Sequence, residues 1–312
     1  MARWFKSSDL KDSPVFWHRR APIWLRVQVG FKSGLQTGRK SELQLLGSLP
    51  EADGKPVLLA CCDEVYFYRF ARDLAASAHR TSPGVHAHIH IYEPSSRCIH
   101  DAAELQRHLG AGMTVSYEPA GRSPYKSASP FFFTTARFAI ADQILERNRT
   151  PVLVIDIDGV VCRDLEPEIR ALGKCDVGLV LRPKQKRIWR RVLACAVLLN
   201  PTEEGRRFSA RLATALERAL RSAPRFHIDQ IVIHYLCRYY RRHRENVRIA
   251  DLGERWADHE FTPEGLIWTA KGSTRKLELA EKTDSLAGGT ACSRNGLNES
   301  DSPARATRPR GL

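Results

Sequence analysis

No two of the eight cysteines stand in a CxxC pair, and their spacing forms no regular framework, which excludes the common zinc and thiol-redox signatures. Most sit inside apolar runs, where a thiol behaves as a small hydrophobe, so a reducing cytoplasm is expected. No stretch approaches the roughly 18 consecutive apolar residues of a membrane span. The basic, aromatic N-terminus lacks an unbroken apolar core, so no secretion signal is expected either. The expected placement is cytoplasmic, with peripheral contact at a membrane surface as the other option. Acids are in short supply: 35 Asp+Glu stand against 49 Lys+Arg, a net charge of +14. That sign suits nucleic acid, a membrane surface, an acidic glycan or a nucleotide diphosphate, and does not choose among them. With 43% hydrophobic and 27% charged residues, the chain has the composition of an ordinary globular protein, long enough for one large α/β domain or two small ones.

The most informative stretch is Pro151-Val-Leu-Val-Ile-Asp-Ile-Asp-Gly159. An unbroken apolar run opened by a proline suits a strand covered on both faces, as in a parallel sheet. Ligands in open α/β sheets collect at the carboxyl ends of such strands. Period two predicts that Asp156 and Asp158 point to one side, with Gly159 letting the chain turn away. Two carboxylates held together repel each other unless a cation or a shared proton relieves them. Hard oxygen donors suit Mg²⁺ or Mn²⁺, which complete their shells with phosphate oxygens and water.

Around this stretch the patterns alternate. Residues 1–52 scatter Trp4, Phe5, Phe16, Trp17, Trp24 and Phe31 among Lys and Arg without a steady period, and read as an extension. Strands are predicted at 57–61, 85–91 and 114–117, with helices at 66–79 and 101–109 between them, a β-α-β-α-β run of the nucleotide-binding type. His86, His88 and His90 share one face of the second strand. Two His at that spacing can bind Zn²⁺, although three in a row more commonly form a half-exposed or partner-covered face. A helix opening near Pro130 puts Arg137 beside an apolar stripe. Beyond the acidic strand come a basic cluster (Lys184, Lys186, Arg187, Arg190, Arg191), a buried strand at 194–200, an amphipathic helix at 203–221 and a helix whose first turn carries Asp229 and Gln230. The loop Lys271-Gly-Ser-Thr-Arg-Lys276 has small residues and cations suited to phosphate. From about 281 a Gly/Ser/Asn/Arg-rich segment reads as a disordered tail.

Taken in order, Cys62-Asp63…Tyr66, Arg137, Val154-Ile-Asp-Ile-Asp158 with Asp164-Leu-Glu-Pro167, Val197-Leu-Leu199, Asp229-Gln230 and Gly272…Lys276 resemble the retaining GT-A glycosyltransferases that include glycogenin and lipopolysaccharide galactosyltransferases. The resemblance implies a single GT-A-like (Rossmann-related) domain over 53–280, with a mainly parallel α/β sheet flanked by helices. It further implies a metal-dependent transfer of sugar from a nucleotide-diphosphate donor, with UDP-sugar the expected one. Asp156 and Asp158 would then bind Mn²⁺ (or Mg²⁺) and the donor, and Asp63 and Tyr66 would sit by the base. Arg137 would touch the diphosphate or sugar, and Asp229 would hold sugar hydroxyls. Gln230 would lie behind the anomeric carbon, and Gly272 with Lys276 would close over the diphosphate. Two positions depart from the family pattern: Thr269 stands where a metal-binding His is usual, and Ala194-Cys-Ala-Val-Leu198 where Asn-Ala-Gly-Val-Leu is usual. The acceptor, glycan or protein, is not specified, but the basic balance suits an anionic one.

Two other readings compete. The same acidic motif is close to that of haloacid-dehalogenase-type phosphatases, with Asp156 as nucleophile and Asp158 as acid/base. The basic clusters, including Arg238-Tyr-Tyr-Arg-Arg-His-Arg244, would also suit a non-catalytic basic binding protein in which Tyr and Arg stack on bases. No RNA- or DNA-binding motif accompanies them, so nucleic acid is not the expected partner.

Overall fold

The computed structural model describes residues 45–118, 130–222, 227–270 and 278. Most of the N-terminal extension, the 271–276 loop with Gly272 and Lys276, and the C-terminal tail lie outside the described residues.

Apolar runs become central strands because a strand covered on both faces has no room for polar side chains. Val57–Asp63 (β2), His86–Tyr92 (β3), Met113–Glu118 (β4), Val152–Ile155 (β5), Val177–Leu181 (β7) and Val192–Leu199 (β8) are buried almost throughout. With two edge strands, Leu46–Gly47 (β1) and Ile249–Asp251 (β9), they form one sheet in the order β1-β4-β3-β2-β5-β8-β7-β9. β2, β3, β4 and β5 run parallel. β8 is antiparallel to both β5 and β7, so β7 again runs with β5. The carboxyl ends of β2, β5 and β7 therefore share one edge of the sheet. Leu46 and Gly47, read from sequence as extension, pair with Tyr117 and Ser116 and belong to the sheet.

Seven helices are described: Glu64–Tyr66 (α1), Arg72–Thr81 (α2), Ser96–Leu109 (α3), Pro130–Asn148 (α4), Glu166–Ala171 (α5), Glu203–Ser222 (α6) and Ile228–Arg242 (α7). A π-helical turn, Phe67–Ala71, joins α1 to α2, so the helix predicted from 66 begins in three pieces. Two apolar clusters cover the sheet. On one face Phe138, Ile140 and Ile144 of α4 pack with Phe208 and Leu212 of α6 and Val232 and Leu236 of α7. On the other, Leu74 and Ala78 of α2 pack with Ile89, Ile155, Leu198 and Trp256.

The acidic strand ends with its apolar run and does not continue through the two aspartates. Ile155 is the last residue of β5, Ile157 is buried in a turn, and Gly159–Val161 (β6) starts a second, two-stranded sheet with Ile267–Thr269 (β10). Asp156 and Asp158 thus flank a turn rather than share a strand face. Gly159 donates its N–H to the Asp156 carbonyl at 3.2 Å, and a Cβ there would sit 3.2 Å from the same oxygen and 3.3 Å from Ile267 Cγ2. That close approach is what glycine permits.

The tyrosines of the 238–244 run are not a stacking platform. Tyr239 and Tyr240 are buried, with the Arg211 guanidinium 5.3 and 4.9 Å from their ring centres and ion-paired to Glu245. The aromatic-basic alternation is a packed structural cluster.

Candidate active site

Arg137 organises the carboxyl edge of the sheet. It sits on α4, whose neighbouring residues Phe138, Ile140 and Ala141 anchor it in the core, and only 3% of its surface is exposed. Its Nη1 donates to the Ile155 carbonyl at 3.2 Å and to Asp156 Oδ1. Its Nη2 donates to the Ala194 carbonyl at 2.8 Å and lies 3.6 Å from Asp229 Oδ2. One guanidinium therefore ties the end of β5, the strand β8 and the first turn of α7 together. A buried cation survives only when paired and hydrogen-bonded. Burial opposes its charge, yet Asp156 and then Asp229 hold its pKa above the ordinary arginine value.

Asp229 is buried, and burial is the main reason its pKa is pushed up to about 6, against the pull of Arg137. Its Oδ1 accepts the backbone N–H of Gln230 at 2.8 Å. The Gln230 side chain, with its amide nitrogen toward the carbonyls of Trp189 and Val192, donates to both, to Val192 at 3.2 Å. Asp156 keeps 32% of its side chain exposed, whereas Asp158 is buried. The Ala270 N–H reaches the Asp158 carbonyl at 3.4 Å, and Thr269 pairs with Gly159.

Asp63 ends β2 at the same sheet edge as Asp156, and its Oδ1 accepts the Tyr66 N–H at 2.8 Å, capping α1. The Tyr66 ring is partly exposed and lies 5.3 Å from Phe70. The structure thus brings Arg137, Asp156 and Asp229 into direct contact, with Asp158 one turn away and Gln230 beside Asp229. Asp63 and Tyr66 stand on the same edge, at the end of the adjacent strand β2. Two thiols near the site, Cys61 and Cys195, are buried, and burial pushes Cys61 up to about 12 and raises Cys195 as well.

Two contributors were missed in the sequence. The Ala194 carbonyl takes Arg137 from β8, and a backbone acceptor leaves no residue-type signal. His259, half-buried, places Nδ1 2.9 Å from the Thr269 carbonyl, so an imidazole lies next to Thr269. Nothing in the spacing of His259 singles it out.

Asp156 and Asp229 both meet the guanidinium of Arg137, and Asp158 lies two residues beyond Asp156. Carboxylate oxygens suit a divalent cation of the Mg²⁺ or Mn²⁺ type, which needs only one or two protein carboxylates when phosphates and water complete its shell. Among the described residues no group of three or more His, Cys, Asp or Glu could hold a metal ion.

This architecture is the GT-A fold, with its central mixed sheet and acidic motif at the carboxyl edge. No family model and no curated protein sequence matches the chain. Among solved structures it is similar to the galactosyltransferase LgtC, determined in complex with donor and acceptor sugar analogs. That match has a TM-score of 0.50 and 14% identity, over 73% of this chain and 95% of the other. The glycosyltransferase GlyE in Streptococcus pneumoniae matches with a TM-score of 0.50 and 14% identity, over 74% of this chain and 60% of its own. The present chain thus spans less than two thirds of GlyE.

Proposed function

We propose that the chain is a glycosyltransferase that moves a sugar from a UDP-linked donor to an acceptor, with retention at the anomeric carbon. The observation that carries this reading is the Asp156–Arg137–Asp229 bridge at the carboxyl edge of a GT-A sheet, with Asp156 partly exposed there and Asp158 two residues on. Asp156 and Asp158 would hold Mn²⁺ or Mg²⁺ with the donor diphosphate, and the ion would stabilise the negative charge that develops on the departing nucleoside diphosphate.

The remaining work falls to the chain. With Nη1 donating to Asp156 and the Ile155 carbonyl, and Nη2 donating to the Ala194 carbonyl and ion-paired to Asp229 at 3.6 Å, Arg137 acts by fixing two carboxylates rather than by gripping phosphate itself. Asp229, ionised above about pH 6, accepts from sugar hydroxyls. Gln230, clamped to the Trp189 and Val192 carbonyls, supplies the polar group beside the anomeric carbon. Asp63 and Tyr66 lie along the edge where the base would extend, and Gly272 and Lys276 would close over the diphosphate.

Calorimetric titration with UDP, with and without Mn²⁺, tests this. The wild-type chain should bind UDP with the ion and lose at least tenfold in affinity without it. Asp158→Asn should lose a similar factor while its thermal midpoint stays within a few degrees. Binding that ignores both the ion and Asp158 would reject the assignment.

A further inference from the structure

The loop 182–191, between β7 and β8, carries a charge that the donor site does not use. β7 runs parallel to β5, so this loop leaves the sheet at the edge that carries Asp156. It adjoins the site directly, since its Trp189 carbonyl and the Val192 carbonyl just beyond it receive the Gln230 amide. Its backbone is pinned. Arg182 N–H donates to the Arg191 carbonyl at 2.7 Å, Arg191 Nε donates to the Gln185 carbonyl at 2.7 Å, and Ile188 is buried beneath. Arg182 is neutralised by Glu254 at 2.9 Å.

Lys184, Lys186, Arg187 and Arg190 are different. All four are exposed, and among the described residues none has a carboxylate partner; Arg187 only lies over the Trp189 ring, 5.6 Å from its centre. Arg107, Arg170, Arg207, Arg248 and Arg255 are each tied to an acid; Arg147, Lys174, Arg242 and Arg244 are exposed without a carboxylate partner among the described residues, but lie at the opposite edge of the sheet. Four uncompensated cations within seven residues, on a rigid loop against the candidate catalytic edge, raise the local concentration of an anion and orient it on arrival.

We propose that this loop is the acceptor-docking surface and that the acceptor is an anionic glycan, bearing carboxylate, sulfate or phosphate groups next to the sugar to be extended. Trp189, half-buried against the core with Arg187 over its ring, anchors the loop that presents these cations. The proposal rests on the transferase reading above.

The test uses the full chain, an anionic probe (a heparin-derived hexasaccharide), a neutral probe (maltohexaose), phosphatidylserine vesicles, and UDP with Mn²⁺. One variant carries Lys184→Gln, Lys186→Gln, Arg187→Gln and Arg190→Gln. A control variant removes four exposed cations from the opposite edge, where β7 and β9 begin: Arg147→Gln, Lys174→Gln, Arg242→Gln and Arg244→Gln. The expected result is that the anionic hexasaccharide binds and the neutral one does not. The loop variant should then lose at least tenfold, the control variant less than about twofold, and UDP affinity should not change. Equal losses in both variants would mean diffuse charge and overturn the proposal. Loss of UDP affinity in the loop variant would reassign the loop to the donor. Loop-dependent binding to vesicles without binding to the hexasaccharide would reassign it to a membrane. Loop-dependent hexasaccharide binding by a wild-type chain that never binds UDP would instead sink the transferase reading, and the acceptor role with it.

Discussion

Arg137→Met should lower the unfolding free energy by about 3–5 kcal/mol, the range expected when one partner of a buried ion pair is removed and its carboxylates are left uncompensated. In a chain with a described core of this size, each kcal/mol moves the thermal midpoint by about 2–4 °C, so a drop on the order of 10 °C should follow. Met preserves the bulk of the side chain, which keeps the loss electrostatic rather than a cavity effect. The carboxylates then decide what happens next. Asp229 already titrates near 6 because of its burial, and without the guanidinium it should take up a proton at higher pH still. Asp229→Asn in the Arg137→Met background should therefore restore part of the lost stability, and should gain clearly more there than in the wild-type background, where Arg137 offsets part of the cost of burying the carboxylate. Urea unfolding of the four proteins at pH 7 gives the coupling energy directly. Strict additivity would show that Arg137 does not hold Asp229, and would remove the positioning role assigned to it.

Much of this site was legible in the sequence, and the rest was hidden for identifiable reasons. The apolar run before Asp156, and Arg137 one helix earlier, gave the sheet edge and its cation, because burial on both faces leaves a strong pattern. Where β5 ends was not legible: Ile157 continues the alternation of a strand but is buried in a turn, and periodicity cannot tell those apart over one residue. Leu46 and Gly47 form a strand too short to leave any period; only pairing with Ser116 and Tyr117 creates it. That β8 runs against its neighbours is a matter of connection, and its unbroken apolar sequence is the same in either direction. The basic loop 182–191 was visible as charge, but only the parallel course of β7 and β5 puts it at the edge that carries Asp156.

The histidines of β3 illustrate the largest gap between pattern and structure, and they should govern how the fold fails in acid. Apolar residues alternating with His suggest a half-exposed or partner-covered face, and His86, His88 and His90 are all buried rather than half-exposed. Register explains it. The Thr114 hydroxyl lies 2.8 Å from both His86 Nε2 and His88 Nδ1, and the Ser116 hydroxyl lies 2.9 Å from both His88 Nε2 and His90 Nδ1. Two hydroxyls of β4 thus stitch three imidazoles into one chain, which ends where His90 Nε2 approaches Glu118 at 3.7 Å. Burial lowers the pKa of all three, that of His90 to about 3. Since the unfolded histidines bind protons from about pH 6.5 and the folded ones do not, their stabilising contribution is full above that pH and is lost progressively as pH falls toward 3. Two carboxyls act the other way. Burial raises Glu118 to about 7 and Asp229 to about 6, so both gain stability on acidification until they reach their unfolded values near 4. Stability should accordingly change little between pH 7 and 5, then collapse below about 4.5, where only the histidine losses remain. His90→Gln should be less stable at pH 7, having disturbed the Ser116 hydrogen bond, but should lose up to about 3 kcal/mol less than wild type between pH 7 and 4. Urea unfolding at pH 7, 5 and 4 measures that difference. Parallel losses in the two proteins would mean that His90 is not held neutral by the fold, and that acid attacks this sheet somewhere else.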